Sequence, residues 1–141
     1  MSTTSGTLQN TKWQSCIDAC MRCAEACEFC ATSDVKQQGQ TLVQVAEEAA
    51  SAGAATSFDV IQQIVKRMTS CVQVNRECAA VCWTSASLMS IDSLFAKQFC
   101  NLCADVCDAC AKECERHDVD HSKRCAQACR NCAEECRRIA S

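Results

Sequence analysis

Proline is absent from this chain of 141 residues, and glycine occurs only at Gly6, Gly39 and Gly53. Proline is the strongest helix breaker and glycine the next, so nothing after Gly53 except short turns need interrupt a helix. Runs of β-branched residues are missing too, which argues against strands. Aromatic residues make up 4% of the chain and tyrosine is absent, so the core cannot be built in the usual way from large side chains. No apolar run approaches the ~18 residues that a membrane-spanning helix needs. The first residues, Met1 to Lys12, lack the apolar stretch of a secretory signal, so a cytoplasmic location is expected. There is no excess of positive charge either. Fourteen basic residues are scattered among 17 acidic ones, for a net charge of −3, and this gives no footprint for nucleic acid.

What the chain does have is 17 cysteines, a density at which a disulfide scaffold or a metal protein is to be suspected. The odd count leaves at least one thiol unpaired, and the spacing is helical, whereas disulfide frameworks are loop-rich. Cys16, Cys20, Cys23, Cys27 and Cys30 step by 4, 3, 4 and 3. Cys100, Cys103, Cys107, Cys110 and Cys114 step by 3, 4, 3 and 4, and Cys125, Cys129, Cys132 and Cys136 by 4, 3 and 4. This alternation is the seam of a packed helix, so each group forms one stripe along a helix face. A sparser group, Cys71, Cys78 and Cys82, has Asn75 where the rhythm would place a cysteine. The same rhythm runs back through Met68, Ile64 and Ile61 and forward through Ser85 and Met89.

These patterns predict helices over 9–34, 57–89, 92–117 and 121–139. Thr56 is the expected N-cap of the second, in a capping box with Asp59. Ser90 or Asp92 is expected to cap the third, and Asp120 or Ser122 the fourth. Residues 1–8 are expected to be disordered, and 9–141 to form one domain. Segment 35–56 is either a loop with a short extra helix or an extension of the first helix. Residues 103–114 and 125–136 repeat one motif, with a shorter copy at 20–30. Four amphipathic helices with short connections predict an all-α, antiparallel four-helix bundle with a cysteine-lined core.

Helical neighbours three and four residues apart lie about 5–6 Å from each other at Cβ, close enough for two thiolates to share one soft ion. Thiolates favour Cu(I), zinc and iron–sulfur clusters. Closed zinc sites of four thiolates would use 16 of the 17 cysteines and bury a charge of about −8 in one narrow core. With Cu(I), loading near one ion per thiolate leaves the cluster close to neutral. Iron–sulfur binding runs are loops wrapped round a cluster, unlike continuous helical stripes. A thioredoxin-like site needs a βαβ context and a di-iron bundle needs Glu-x-x-His motifs; neither occurs. Cysteine used simply as a small hydrophobe accounts for one or two buried thiols, but 17 would make a thin core with little dispersion energy.

Up-down topology gathers Cys30, Met68, Cys114, His117, His121 and Cys125 at one end of the bundle. His and Met are further borderline or soft ligands, so this end is the expected mouth, with His117, His121 and Met68 passing ions inward. The competing reading makes the histidines solvated turn residues and Met68 a core residue. At the opposite end, Trp13, Met89, Phe95 and Phe99 are expected to close the bundle around Cys16, Cys82, Cys100 and Cys136.

The stretches CIDACMRCAEAC (16–27), CVQVNRECAAVC (71–82), CNLCADVCDACAKECERHDVDH (100–121) and CAQACRNCAEEC (125–136) resemble the cytosolic copper storage proteins. That resemblance implies a non-enzymatic store of multiple Cu(I) ions held by the core thiolates. It implies that all 17 cysteines are ligands, with His117 and His121 at the mouth, and that bundles assemble as homo-oligomers, often tetramers. Segment 35–56 looks longer than the family's connection between the first two helices. The alternatives are a zinc or general soft-metal buffer, a thiol redox protein and an interaction scaffold. No nucleic-acid or membrane partner is expected, and no copper donor or acceptor protein is identified.

Overall fold

The computed structural model describes residues 11–141; the disorder expected of residues 1–8 falls outside them. All regular structure among the described residues is helical. A single 3₁₀ turn, Thr11–Trp13, leads into α1 (Gln14–Ser51). α2 (Phe58–Arg67) passes through a π-turn, Met68–Val72, into α3 (Gln73–Ser90). α4 (Ala96–Cys114) and α5 (Asp120–Ala140) complete the chain. The first half of α1 packs beside α3 and α5, and α4 packs beside the same two. The result is an antiparallel four-helix bundle. No described helix is long and apolar enough to cross a membrane.

The cysteine stripes turn inward together. Sixteen of the cysteines are fully buried and Cys16 is 1% exposed. Seven of them are followed directly by a buried alanine, at Ala24, Ala31, Ala79, Ala104, Ala111, Ala126 and Ala133. A methyl group beside each thiol lets neighbouring helices approach closely. The small side chains of the core therefore fill the space between them without large rings.

α1 continues to Ser51, past the expected limit at residue 34, so of the two readings of 35–56 the structure has the extension of the first helix, over 35–51. Gln, Ala, Glu and Leu in this stretch are good helix formers, and one internal glycine costs only about 1 kcal/mol. The helix ends in a Schellman motif. Gly53 takes φ +71°, its N–H donates to the Ala50 carbonyl at 3.0 Å, and the Ala54 N–H donates to the Ala49 carbonyl at 2.8 Å. Beyond the bundle, α1 and α2 form a two-helix arm whose helices touch little. The arm's part of α1, residues 35–51, is about 25 Å long at 1.5 Å per residue.

Several expected details differ. Ser57, not Thr56, precedes α2, and it makes no side-chain capping bond, so the capping box does not form. α4 begins only at Ala96, because 91–95 form a turn. There Asp92 adopts φ 54° and Ser93 Oγ accepts from the Phe95 N–H at 3.1 Å. α4 ends at Cys114, which leaves His117 in the connection to α5. Trp13 and Met89 do close the far end of the bundle. Phe99 is half-buried, but Phe95 is 64% exposed because the turn carries it outward.

Met89 is fully buried, so Met89→Ala is expected to lower unfolding free energy by about 2–5 kcal/mol. Phe95→Ala is expected to change it by no more than about 0.5 kcal/mol. Denaturant unfolding of the reduced, metal-free protein measures both.

Candidate metal centre

No cysteine is in a disulfide. Instead the thiols form a continuous column along the bundle axis. Near the closed end, Cys136 Sγ lies 3.7 Å from both Cys16 and Cys20, and Cys132 lies 3.5 Å from Cys20. Further along, Cys82 sits 3.7 Å from Cys103 and 3.6 Å from Cys107. At mid-height, helices that are diagonal in the bundle meet through sulfur. Cys23 on α1 lies 3.9 Å from Cys107 on α4, and Cys78 on α3 lies 4.0 Å from Cys129 on α5. Cys27 then bridges to Cys110, Cys129 and Cys125 at 3.8, 3.7 and 3.6 Å.

Sets of four thiols lie with all their sulfurs within 4.8 Å of one another. These sets overlap. Cys23 and Cys78 belong both to the set with Cys82 and Cys107 and to the set with Cys27 and Cys129. Cys103 and Cys132 belong both to the set with Cys20 and Cys136 and to the set with Cys82 and Cys107. Such a column does not divide into separate closed tetrahedral sites. It suits ions that share bridging thiolates.

Burial opposes ionisation of every thiol in the column, because a lone thiolate there would be desolvated, but the hydrogen bonds among the thiols divide them. Cys78 and Cys132 are drawn down by hydrogen bonds with neighbouring thiols, foremost Cys107 and Cys103 respectively, and others are pushed up. Cys129, for example, is pushed up, foremost by its hydrogen bond to Cys110, then by those to Cys125, Cys23 and Cys27 and by burial. Cys100 is pushed up to about 12, with the Cys136 hydrogen bond opposing and the Cys16 hydrogen bond and burial raising. The thiols donate to one another along the column, as Cys23 does to Cys129 and Cys78 to Cys107.

At the other end the sulfur column meets polar groups. Asn75, fully buried, is bonded on both sides of its amide. Its Nδ2 donates to the Cys71 carbonyl at 2.9 Å and to the sulfurs of Cys30 and Cys71 at 3.4 and 3.5 Å. Its Oδ1 accepts from Cys125, Cys110 and Cys114 at 3.0, 3.2 and 3.6 Å. One amide thus organises five thiols. Cys30 also lies 3.9 Å from Ser122 Oγ.

One helical turn beyond Cys30, Asp34 is fully buried. His121 Nε2 lies 2.7 Å from its Oδ1, and Arg67 approaches the same oxygen at 3.7 Å. Burial pushes the Asp34 carboxyl up, and the His121 hydrogen bond pulls it back. His117 Nε2 lies 3.5 Å from Glu113. Asp34 Oδ2, Arg67 Nε and His117 Nε2 are buried without a hydrogen-bond partner among the described residues.

The structure thus brings Cys30, Cys71, Cys114, Cys125, His117 and His121 to one end. Met68 is half-buried at the first position of the π-turn. Sequence reasoning missed Asp34 and Arg67. The signal for Asp34 was present, since Asp34 falls four residues after Cys30 on the same seam. Expecting the helix to end at residue 34 concealed it. Arg67, on the helix α2, carried no comparable pattern.

A family model described as "Csp: Copper storage protein" matches residues 9–141. An uncharacterized cysteine-rich protein, YhjQ, of Bacillus subtilis (strain 168) is 35% identical over 108 residues, covering 77% of each chain. The solved structure of Cu(I)-bound copper storage protein BsCsp3 is 35% identical, with a TM-score of 0.68 over 91% of this chain and 97% of that one. A cytosolic copper storage protein from Streptomyces lividans, solved with five coppers, is 27% identical, with a TM-score of 0.67 over 96% of both chains.

Asn75→Ala removes the acceptor that Cys110, Cys114 and Cys125 share. It is expected to destabilise the metal-free protein by about 1–3 kcal/mol, read from thermal unfolding under reducing conditions.

Proposed function

The chain belongs to the copper storage protein family, and from that premise we propose that it is a cytosolic store that takes up many Cu(I) ions on its 17 core thiolates. The observation that carries this reading is the column of overlapping four-thiol sets. Each Cu(I) ion that replaces a thiol proton leaves the charge of the buried core unchanged. A divalent ion held by four thiolates leaves a net negative charge that nothing in the column offsets, which disfavours a zinc buffer. Storage requires binding and release but no bond-making on a substrate, so the role is non-enzymatic.

The polar end is the entrance in this reading. His117 and His121 hand ions from solvent to the first thiolates, Cys30, Cys71, Cys114 and Cys125, and Met68 is a further soft donor beside them. Both histidines are partly exposed, at 15% and 14% of their side chains, so each can face an incoming ion and the core. The Trp13 and Met89 end is closed by packing. Homo-oligomeric assembly, with the tetramer that the family resemblance implies, is part of the same proposal.

An anaerobic titration against a Cu(I)-specific chelator tests the storage reading. Saturation near one Cu(I) per cysteine is expected. Saturation instead at about four divalent ions with weak Cu(I) binding would establish the zinc buffer. Because each copper ion must displace protons from the thiols it binds, binding weakens as pH falls, and repeating the titration at acidic pH checks this.

Replacing both His117 and His121 by alanine is expected to slow copper uptake and release, with total capacity nearly unchanged. Stopped-flow transfer from and to a chelator measures both rates. Unchanged rates would move the entrance elsewhere.

A further inference from the structure

Gly39 lies inside the helix, near the base of the arm's part of α1. Inside a helix, glycine costs about 0.5–1 kcal/mol relative to alanine, a cost usually offset where another backbone comes close. Here a Cβ placed on Gly39 meets no atom within 4 Å, so nothing in the described chain needs the missing side chain. The glycine opens a notch in a shallow groove of about 420 Å³ on the outer face of α1. Val35 and Val43 border the notch and are 44% and 57% exposed. Lys36 lies towards the base end of the groove and Glu47 towards its tip end. Neither is in an ion pair among the described residues.

We infer that this groove is a self-docking surface, occupied by the same groove of a second copy lying antiparallel across it. A two-fold axis across the groove at the level of residue 41 sets Gly39 opposite Val43, so each Val43 fills the notch of the other copy. The same register sets Lys36 opposite Ala46 and within reach of the adjoining Glu47. Charge complementarity selects this orientation: a parallel arrangement would set Lys36 against Lys36 and Glu47 against Glu47. Two-fold symmetry makes each contact twice. The arm is free to take part because its two helices touch each other little. This inference rests on the homo-oligomeric part of the proposed function and assigns that assembly a surface.

The test is sedimentation equilibrium of the full, reduced, metal-free chain across a wide range of concentration, with circular dichroism to confirm helicity. Gly39→Leu fills the notch with a side chain whose Cβ meets no atom of its own chain within 4 Å, and it should weaken self-association while leaving the helix intact. Lys36→Glu and Glu47→Lys should each weaken association by about tenfold, since each acts at two symmetric contacts. Combining the two should restore it. An oligomer indifferent to all of these variants overturns this interface and leaves homo-oligomeric assembly standing. Weakening by Gly39→Leu without rescue by the double charge swap overturns the antiparallel orientation. A chain that stays monomeric at every concentration overturns assembly and interface together. Copper capacity is expected to be the same in every variant, so the storage reading is judged separately.

Discussion

The short reach of the cysteine side chain is the constraint on which the rest of this structure depends. Sulfur extends a single heavy atom beyond Cβ, so thiols from diagonal helices meet only if all four helices close tightly round one axis. The contacts between Cys23 and Cys107 and between Cys78 and Cys129 show that they do. Buried alanines beside the cysteines make that approach possible, and the scarcity of aromatic side chains removes what would prevent it. Packing of this kind is close and uniform, and it brings the sulfur atoms of all four helices together along one axis.

The same narrowness sets the electrostatics. A dry column lined with thiols tolerates neutral S–H groups and resists isolated thiolates. Exchange of a proton for a monovalent soft cation keeps that balance, and shared sulfurs allow ions to lie side by side along the axis. At one end the column is sealed by Trp13 and Met89. At the other it passes through the Asn75 amide to the buried Asp34 carboxylate and the two histidines. The core thus has a direction, from partly exposed histidines through buried polar groups to soft sulfur.

Much of this was legible from spacing. The 3/4 alternation identified the stripes, their faces and the bundle, and Asn75 was visible as the position where the rhythm lacked a cysteine. What Asn75 does there was not visible, because its five partner residues lie on α1, the π-turn, α4 and α5. Helix limits were read less well. A helix of strong formers ran through Gly39 to the positive-φ turn at Gly53, and neither Thr56 nor Asp59 formed the expected cap. Phe95 had been assigned to the closing plug by its type and position. The backbone turn at Asp92 decided otherwise by carrying the ring into solvent.

By itself, the amino-acid sequence determined the helical class, the inward stripe of each helix and the soft-metal character of the core, because each follows from periodicity and side-chain chemistry within a single helix. Tertiary structure alone decided which thiols meet and that their four-membered sets overlap. It also placed Asp34 and Arg67 beside His121 and carried α1 and α2 beyond the bundle as an arm. Those features depend on the distance and register between different helices, which no local pattern encodes.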